Sequence, residues 1–351
     1  MPFFDNGDQQ VRLRFSRYTR EVIQHDMFLF GETRENTFIN MVIRNFYETA
    51  NSSISMRLQQ YQDSLEENLP DRTPSSAKAF LKPLLQIEEK RLLDLASSYE
   101  LPDKNIKSKP YRLQNDLYEA FTDPGSDFHE DHYYHDSRSS YLKTLLEEYA
   151  HLPYISRERI YFKQIFEMIG YAIAHKKQLL ITVSNGQSYH TLPYKILSDP
   201  LSTAHYLTGF SYPLTGEKEN KYTVSYKIAT IQKIRIEKSK SGYLHPDDIS
   251  VLLSAISEKG VQFLVSEDVE IRVRFSEAGM HAFEHWLHLR PEPRSITKEK
   301  DSYIAVFHCS LVQASAYFFK FGAKAEILAP SALREQFLSQ YRDAVTCYSG
   351  T

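Results

Sequence analysis

Two histidine groups are the residues whose spacing could first support chemistry. His129, His132 and His135, with Asp131 and Asp136, recur at intervals of three, which sets metal ligands on one side of a helix. They follow Pro124-Gly125, however, and Asp-His-Tyr-Tyr-His after such a pair reads better as a flexible turn, with no cysteine nearby to complete a ligand set. His281, Glu284 and His285 fall in the H-x-x-E-H order of inverted zinc peptidases. Here Trp286 and Leu287 follow on an amphipathic helix, and a lone match in a chain with 13 histidines is a weak signal. No Gly-rich phosphate loop, Gly-x-Ser-x-Gly elbow or carboxylate pair at an apolar strand end occurs. No enzyme, metal or cofactor is expected.

A basic and aromatic stretch is more specific. Between Lys176 and Lys240 there are ten Lys or Arg against four Asp or Glu, in a chain whose net charge is −3. Tyr189, Tyr194, Tyr206, Tyr212, Tyr222 and Tyr226 sit among these charges, with His190 and His205. Cations attract phosphate and exposed rings offer faces to unstacked bases, which is how single-stranded nucleic acid is commonly held. His190, His205, Tyr206, Lys221, Tyr222, Tyr226 and Lys227 are therefore candidate contacts, with Lys221 and Lys227 for phosphate and Tyr206 or Tyr226 for stacking. Alternate strand positions face a core, so about half of the tyrosines are expected to be packing.

The elements that must position these side chains are strands. Five β-forming runs cover 179–183, 189–197, 205–212, 222–229 and 231–238, broken by Asn185-Gly186, Asp199-Pro200 and a charged tip at 216–220. Five short strands are too few for a two-sheet sandwich and predict a small barrel. At the N-terminus, Val11, Leu13 and Phe15 alternate with Gln10, Arg12 and Arg14, the pattern of a half-buried strand. A helix is predicted over 17–30, ending at Gly31, and a second after Thr33 as N-cap, with Phe38, Ile39, Val42, Ile43 and Phe46 on one side. One short strand cannot stand alone, so a partner chain is expected to complete it.

Residues 53–177 read as a helical connector, punctuated at Pro70 to Pro74, with a basic run at 104–112 and an acidic one at 116–136. The acidic run reads as a solvated loop, or as a phosphate mimic covering a basic surface. Its last helix is predicted over 157–177. Beyond it come a strand over 269–275, a helix over 276–289, a strand over 303–310, a helix over 312–320, a strand over 326–328, and a helix opened by Pro330.

These residues carry three resemblances. Strand, helix, Gly-x-Thr turn and helix resemble the ribbon-helix-helix module, which implies that Gln10, Arg12 and Arg14 face a DNA groove. The amide end near Thr33 and Arg34 would then hold a phosphate. The basic strands resemble the WYL domain, an Sm-like or SH3-like barrel: His205-Tyr206-Leu207 stands for the naming tripeptide, Pro193 to Ile196 for the element before it, and Tyr226, Lys227 and Ile231 for the late one. Histidine replaces the tryptophan, Thr230 the usual second arginine, and Ser184 a common aromatic. Phe321 to Arg334 resembles the signature of the C-terminal extension that often follows a WYL barrel. The combination is similar to the accessory proteins of type VI-D CRISPR systems.

The expected architecture is a multidomain α+β chain: 1–52 ribbon-helix-helix, 53–177 connector, 178–245 barrel and 246–351 a C-terminal α+β dimerisation or regulatory domain. At 351 residues, 42% apolar and 25% charged, the chain has the size and composition of two or three ordinary globular domains. Nothing resembles a signal peptide or an apolar span, and Cys309 and Cys347 suit neither a zinc quartet nor a disulfide scaffold, so a cytoplasmic protein without membrane contact is expected. The resemblance implies a homodimer that binds single-stranded RNA and stimulates a CRISPR RNA-guided RNase. The alternative is a transcriptional regulator whose ribbons read duplex DNA while the barrel senses a ligand.

Overall fold

A computed structural model describes residues 9–68, 81–99, 106–122, 132–134, 137–199, 203–264, 268–287 and 289–349. His129, Asp131, His135 and Asp136, the pair Pro124-Gly125, the acidic run beyond Thr122, Pro70 to Pro74 and Pro200 lie outside these residues. The chain divides into two units, Met1–Phe166 and Glu167–Thr351.

In the first unit the N-terminal alternation is realised: β1 (Gln10–Leu13) buries Val11 and Leu13 and exposes Gln10 and Arg12, with Phe15 inward and Arg14 outward just beyond. There follow α1 (Arg17–Phe30), α2 (Glu35–Phe46), α3 (Ile54–Glu67), α4 (Leu81–Ser97) and β2 (Lys109–Arg112). β1 pairs antiparallel with β2 of the same chain, Gln10 opposite Arg112, Val11 opposite Tyr111, Arg12 opposite Pro110 and Leu13 opposite Lys109. This corrects the expectation that a partner chain must complete the strand, because β2 already serves its backbone groups. A homodimer loses that reason for existing.

The helix expected over 17–30 forms with those bounds, because Ser16 caps one end and Gly31, at φ 72°, closes the other in a left-handed conformation that glycine takes without strain. Next come α5 (Asn115–Thr122), α6 (Arg138–His151), α7 (Tyr154–Tyr161) and α8 (Lys163–Ala174). The single helix expected over 157–177 is thus two, broken at Phe162, which lets Tyr161 and Phe162 both turn onto Phe30 with ring centroids 5.0 and 5.1 Å away.

Buried bonds from α6 and α7 cross the boundary expected at residue 52. Glu147 accepts from the Ser16 amide at 2.7 Å, the Ser16 hydroxyl at 2.8 Å and the Thr19 hydroxyl at 2.5 Å, so a buried carboxylate faces the positive end of α1. Glu148 accepts from the amides of Asn51 and Ser52 at 2.8 and 2.7 Å. Asp26 accepts from the Tyr149 hydroxyl at 2.9 Å and from Arg157 Nε and Nη2 at 2.7 and 3.0 Å.

The second unit contains β3 (Lys177–Val183), β4 (Ser188–Ser198), β5 (His205–Pro213), β6 (Tyr222–Lys227) and β7 (Ile231–Ser241). All neighbours are antiparallel and the order is β6-β5-β4-β3-β7. The expected closed barrel is not formed: β6 and β7 are opposite edges, because the chain leaves β6 through a 3-10 turn at Ile228–Thr230 and β7 then pairs with β3. Gly209 lies opposite Pro193 at a register shift in β4, where a methyl group would overlap the Leu192 carbonyl oxygen. α9 (Pro246–Lys259) covers part of one face, burying Leu192, Phe210 and Tyr212 with Leu244, Leu252 and Leu264.

The chain continues through β8 (Asp268–Ser276), α10 (Glu277–His285), β9 (Pro293–Glu299), β10 (Ser302–Ser310), α11 (Leu311–Phe318), β11 (Ala325–Ala329) and α12 (Ser331–Ser349). The order β11-β8-β10-β9 is that of a βαββαβ unit. Ile271, Val273 and Phe275 of β8 and Ala305, Phe307 and Cys309 of β10 face the helices in one core. The α+β layer expected here is observed, with β9 added to it.

Candidate nucleic-acid interface

Strand parity decides which of the basic and aromatic side chains share a surface. Tyr206, Thr208, Phe210 and Tyr212 occupy one face of β5, and Tyr206 lies directly opposite Lys227 on β6 and Leu197 on β4. The same face carries Lys195 opposite Thr208, His190 opposite Tyr212, and Arg235 and Lys233 on β7, opposite Leu180 and Thr182. α9 covers Leu192, Phe210 and Tyr212 in the middle of this face. It leaves Lys195, Tyr206 and Lys227 at one end, and Lys233 and Arg235 toward the other. Tyr206 and Lys227 are half-buried while Lys195, Lys233 and Arg235 are exposed, so a ring stands beside a cation at solvent. His205 is half-buried opposite Ser198.

Several other candidates have packing partners. Tyr226 is only 8% exposed, on the opposite face, and its hydroxyl donates to Ser211 Oγ at 3.0 Å; burial pushes the phenol pKa up. Its ring lies 6.1 Å from that of Tyr189. Tyr226 is thus a packing tyrosine, as is Tyr212, whereas Tyr222 is 41% exposed on the β6 edge. Lys221 pairs with Asp248 at 3.0 Å and sits 5.7 Å from the Phe210 ring centroid. Burial works to raise the Asp248 carboxyl, but Lys221 and the His245 amide outweigh it and hold it below its usual value.

His190 belongs to a network that sequence reading missed. Its Nδ1 lies 2.7 Å from Glu237 Oε2, which also accepts from Gln178 Nε2 at 2.8 Å. The Tyr212 hydroxyl donates to Gln178 Oε1 at 2.9 Å, and Lys240 reaches Glu237 Oε1 at 3.3 Å. Burial raises the Glu237 carboxyl, yet Gln178, His190 and Lys240 together leave it below the ordinary carboxylate range. The signal was Glu237 itself, the one acid in the run from Ile231 to Lys240.

In the first unit, Gln10, Arg12 and Arg14 point outward from the ribbon as expected. The helix end at Thr33 and Arg34 differs. Arg34, not Thr33, is the N-cap of α2, and it makes no side-chain cap bond. Its amide donates to Glu32 Oε1 at 2.8 Å, and Glu35 in the first turn binds Lys109 and the Tyr111 hydroxyl. Two of the protein's own carboxylates stand where a phosphate was expected. On α10, the rings of His281 and His285 stack at 4.2 Å and His285 Nδ1 lies 2.8 Å from the His281 carbonyl. Among the described residues, no group of three or more His, Cys, Asp or Glu is placed to hold a metal.

Residues 267–345, which include the βαββαβ unit, match the model of the WCX domain, a WYL-related C-terminal domain. The chain carries a WCX domain. That domain takes in the Phe321 to Arg334 signature read from the sequence. A CRISPR Cas-related protein of solved structure superposes with a TM-score of 0.74, covering 99% of this chain and 98% of its own at 19% identity. That likeness is one of fold, and it extends from the WCX domain through the rest of the chain. Proteasome accessory factor B/C of Arthrobacter aurescens aligns over 98% of this chain and 51% of its own, at a TM-score of 0.30 and 13% identity, too loose to carry an argument. No curated protein matches by sequence. Among the described residues, no helix is long and apolar enough to cross a membrane.

Proposed function

We propose that this chain is a WYL-type CRISPR accessory protein that binds single-stranded RNA on its five-stranded sheet and stimulates an RNA-guided RNase. The observation that carries the reading is the register of β5 and β6, which sets Tyr206 against Lys227 beside the exposed Lys195. A ring face and two cations at one end of a sheet are what an unstacked base and its flanking phosphates require. The WCX domain and the CRISPR Cas-related fold neighbour support the accessory role.

The test is Lys227→Ala combined with Tyr206→Ala, compared with Arg12→Ala combined with Arg14→Ala, in titrations against single-stranded RNA. The sheet pair should lose about 10- to 100-fold in affinity, since stacking alone is worth about 1–3 kcal/mol per base. Its slope of log affinity against log salt should shrink by about 0.7 for the lost phosphate contact. Stimulation of RNA cleavage should fall in parallel. Unchanged RNA affinity in a folded sheet variant would refute the reading.

A further inference from the structure

β11 is one edge of the four-stranded sheet in the WCX domain, and its outer side pairs with no strand among the described residues. Its sequence, Ala325-Glu326-Ile327-Leu328-Ala329, carries neither proline nor lysine. The other edge, β9, opens with Pro293 and carries Arg294 and Lys298, residue types that keep an edge strand from pairing. On β11 the one charged side chain is Glu326, and Arg274 and Arg334 engage it at 2.8 and 2.7 Å.

An apolar cleft lies along this edge. Ala323, Ala325 and Ile327 line it from the strand side and Phe337, Leu338 and Tyr341 from α12, around a volume of about 230 Å³. Its walls are held in place: Phe337 belongs to the domain core, and the Tyr341 ring stacks on Phe319 at 4.8 Å while its hydroxyl donates to the Phe319 carbonyl at 2.7 Å. Leu338 is 44% exposed, so apolar surface reaches solvent at the rim. Size limits what can enter. Sites for small molecules and cofactors span about 300–1,000 Å³, whereas about 150 Å³ holds one benzene, so this cleft suits a single large side chain. Charge limits what can stand beside it. Arg334, more than Arg274, holds the Glu326 carboxyl below the ordinary range, so two guanidinium groups surround one carboxylate and leave a net positive charge at the mouth. Arg334 Nη1 also donates to the Ile327 carbonyl at 2.9 Å, which sets that charge against the strand's main chain.

We propose that β11 and α12 receive an extended segment of a partner protein, which adds as a fifth strand beside β11, places one large apolar side chain in the cleft and sets an acidic residue against Arg334. Strand addition supplies main-chain hydrogen bonds, and pockets for alternate side chains supply specificity. Arg334 and Leu338 are one helical turn apart, about 6 Å along α12, and residues two apart on a strand share a face at about 6.6 Å. The segment therefore carries its apolar residue and its acid two positions apart. This surface is separate from the five-stranded sheet, and the inference does not rest on RNA binding there.

The test selects short random peptides displayed on phage against the full chain, then titrates the best sequence as a labelled synthetic peptide with blocked ends. The selected sequences should share a large apolar residue and an acid two positions apart. Leu338→Glu should weaken that peptide by about 10-fold or more, because it places a carboxylate on the apolar rim beside the peptide's own acid. Arg334→Gln should weaken it about 3- to 10-fold and remove the salt dependence of binding. N-methylation of the peptide's alternate amides should cost affinity on the set that faces β11 and leave the other set unaffected. Leu338→Glu is the deciding variant, since its side chain lies at the surface, and an unchanged melting curve confirms that it folds. Peptides that bind Leu338→Glu as tightly as the parent would overturn the proposal. So would a selection with no enrichment, a bound peptide that is helical, or free 3-phenylpropionate binding as tightly as the peptide. RNA affinity should be the same in both variants as in the parent, so a failure here and a failure of the RNA reading are told apart.

Discussion

Buried carboxylates at single residues hold the first unit together. Asp26 is fully buried and, among the described residues, pairs with Arg157, so Asp26→Ala leaves a guanidinium without this counter-charge and the Tyr149 hydroxyl without this acceptor. Breaking a buried pair from one side costs about 3–5 kcal/mol, and denaturant unfolding of the variant should show that loss. Glu237 makes a pH-dependent contribution. Its carboxyl is held below the ordinary range, so its stabilisation is complete above the unfolded value of about 4.3 and disappears as pH falls through the lower folded value. Glu237→Gln should therefore be less stable than the parent at pH 7 by about 1–3 kcal/mol. The two melting curves should converge as pH falls through the lowered folded value, and a constant gap at all pH values would contradict this account.

Among elements, the β4–β5 pairing depends on Gly209. An alanine there meets the Leu192 carbonyl at the register shift, so Gly209→Ala should cost about 1–3 kcal/mol or more and loosen amide-exchange protection along β5. The strands around it were legible in sequence to within a few residues, because Val, Ile, Tyr and Thr cluster between unmistakable turns such as Asn185-Gly186. β2 was not legible. Lys109-Pro110-Tyr111-Arg112 has one inward side chain and a proline, and its role comes from β1 and the asparagines of α2. β9 escaped for a related reason: it is an edge strand that opens with Pro293, is mostly exposed, and shows no alternation to read. The capping role given to Thr33 went to Arg34 because Glu32 and Glu35 settle that helix end from both sides.

For the whole molecule, charge is separated rather than scarce. A net charge of −3 coexists with ten Lys or Arg and only four Asp or Glu over 176–240. Binding of single-stranded RNA should accordingly be strongly salt-dependent, with a slope near −3 if about four phosphates are neutralised at about 0.7 each. A flat profile in the parent protein would show that the basic strands are not the binding surface. The basic excess was visible in sequence, but the roles of individual residues were not. Tyr226 and Tyr206 look alike in the chain, and only the register shows one inside the sheet and the other beside Lys227. Lys221 was likewise indistinguishable from Lys227 until Asp248, on a helix after the sheet, was seen to hold it.

The bond between Arg112 and Gln9 spans 103 residues, and that between Glu147 and Ser16 spans 131. During synthesis at about 5–20 residues per second, β1 is made roughly 5 to 20 s before its partner strand, and the carboxylate that fixes α1 arrives later still. For that interval the nascent chain carries an apolar-faced strand with both edges open. Stalled or truncated products ending before Lys109 should therefore depend on chaperones for solubility, while chains released after α7 should not.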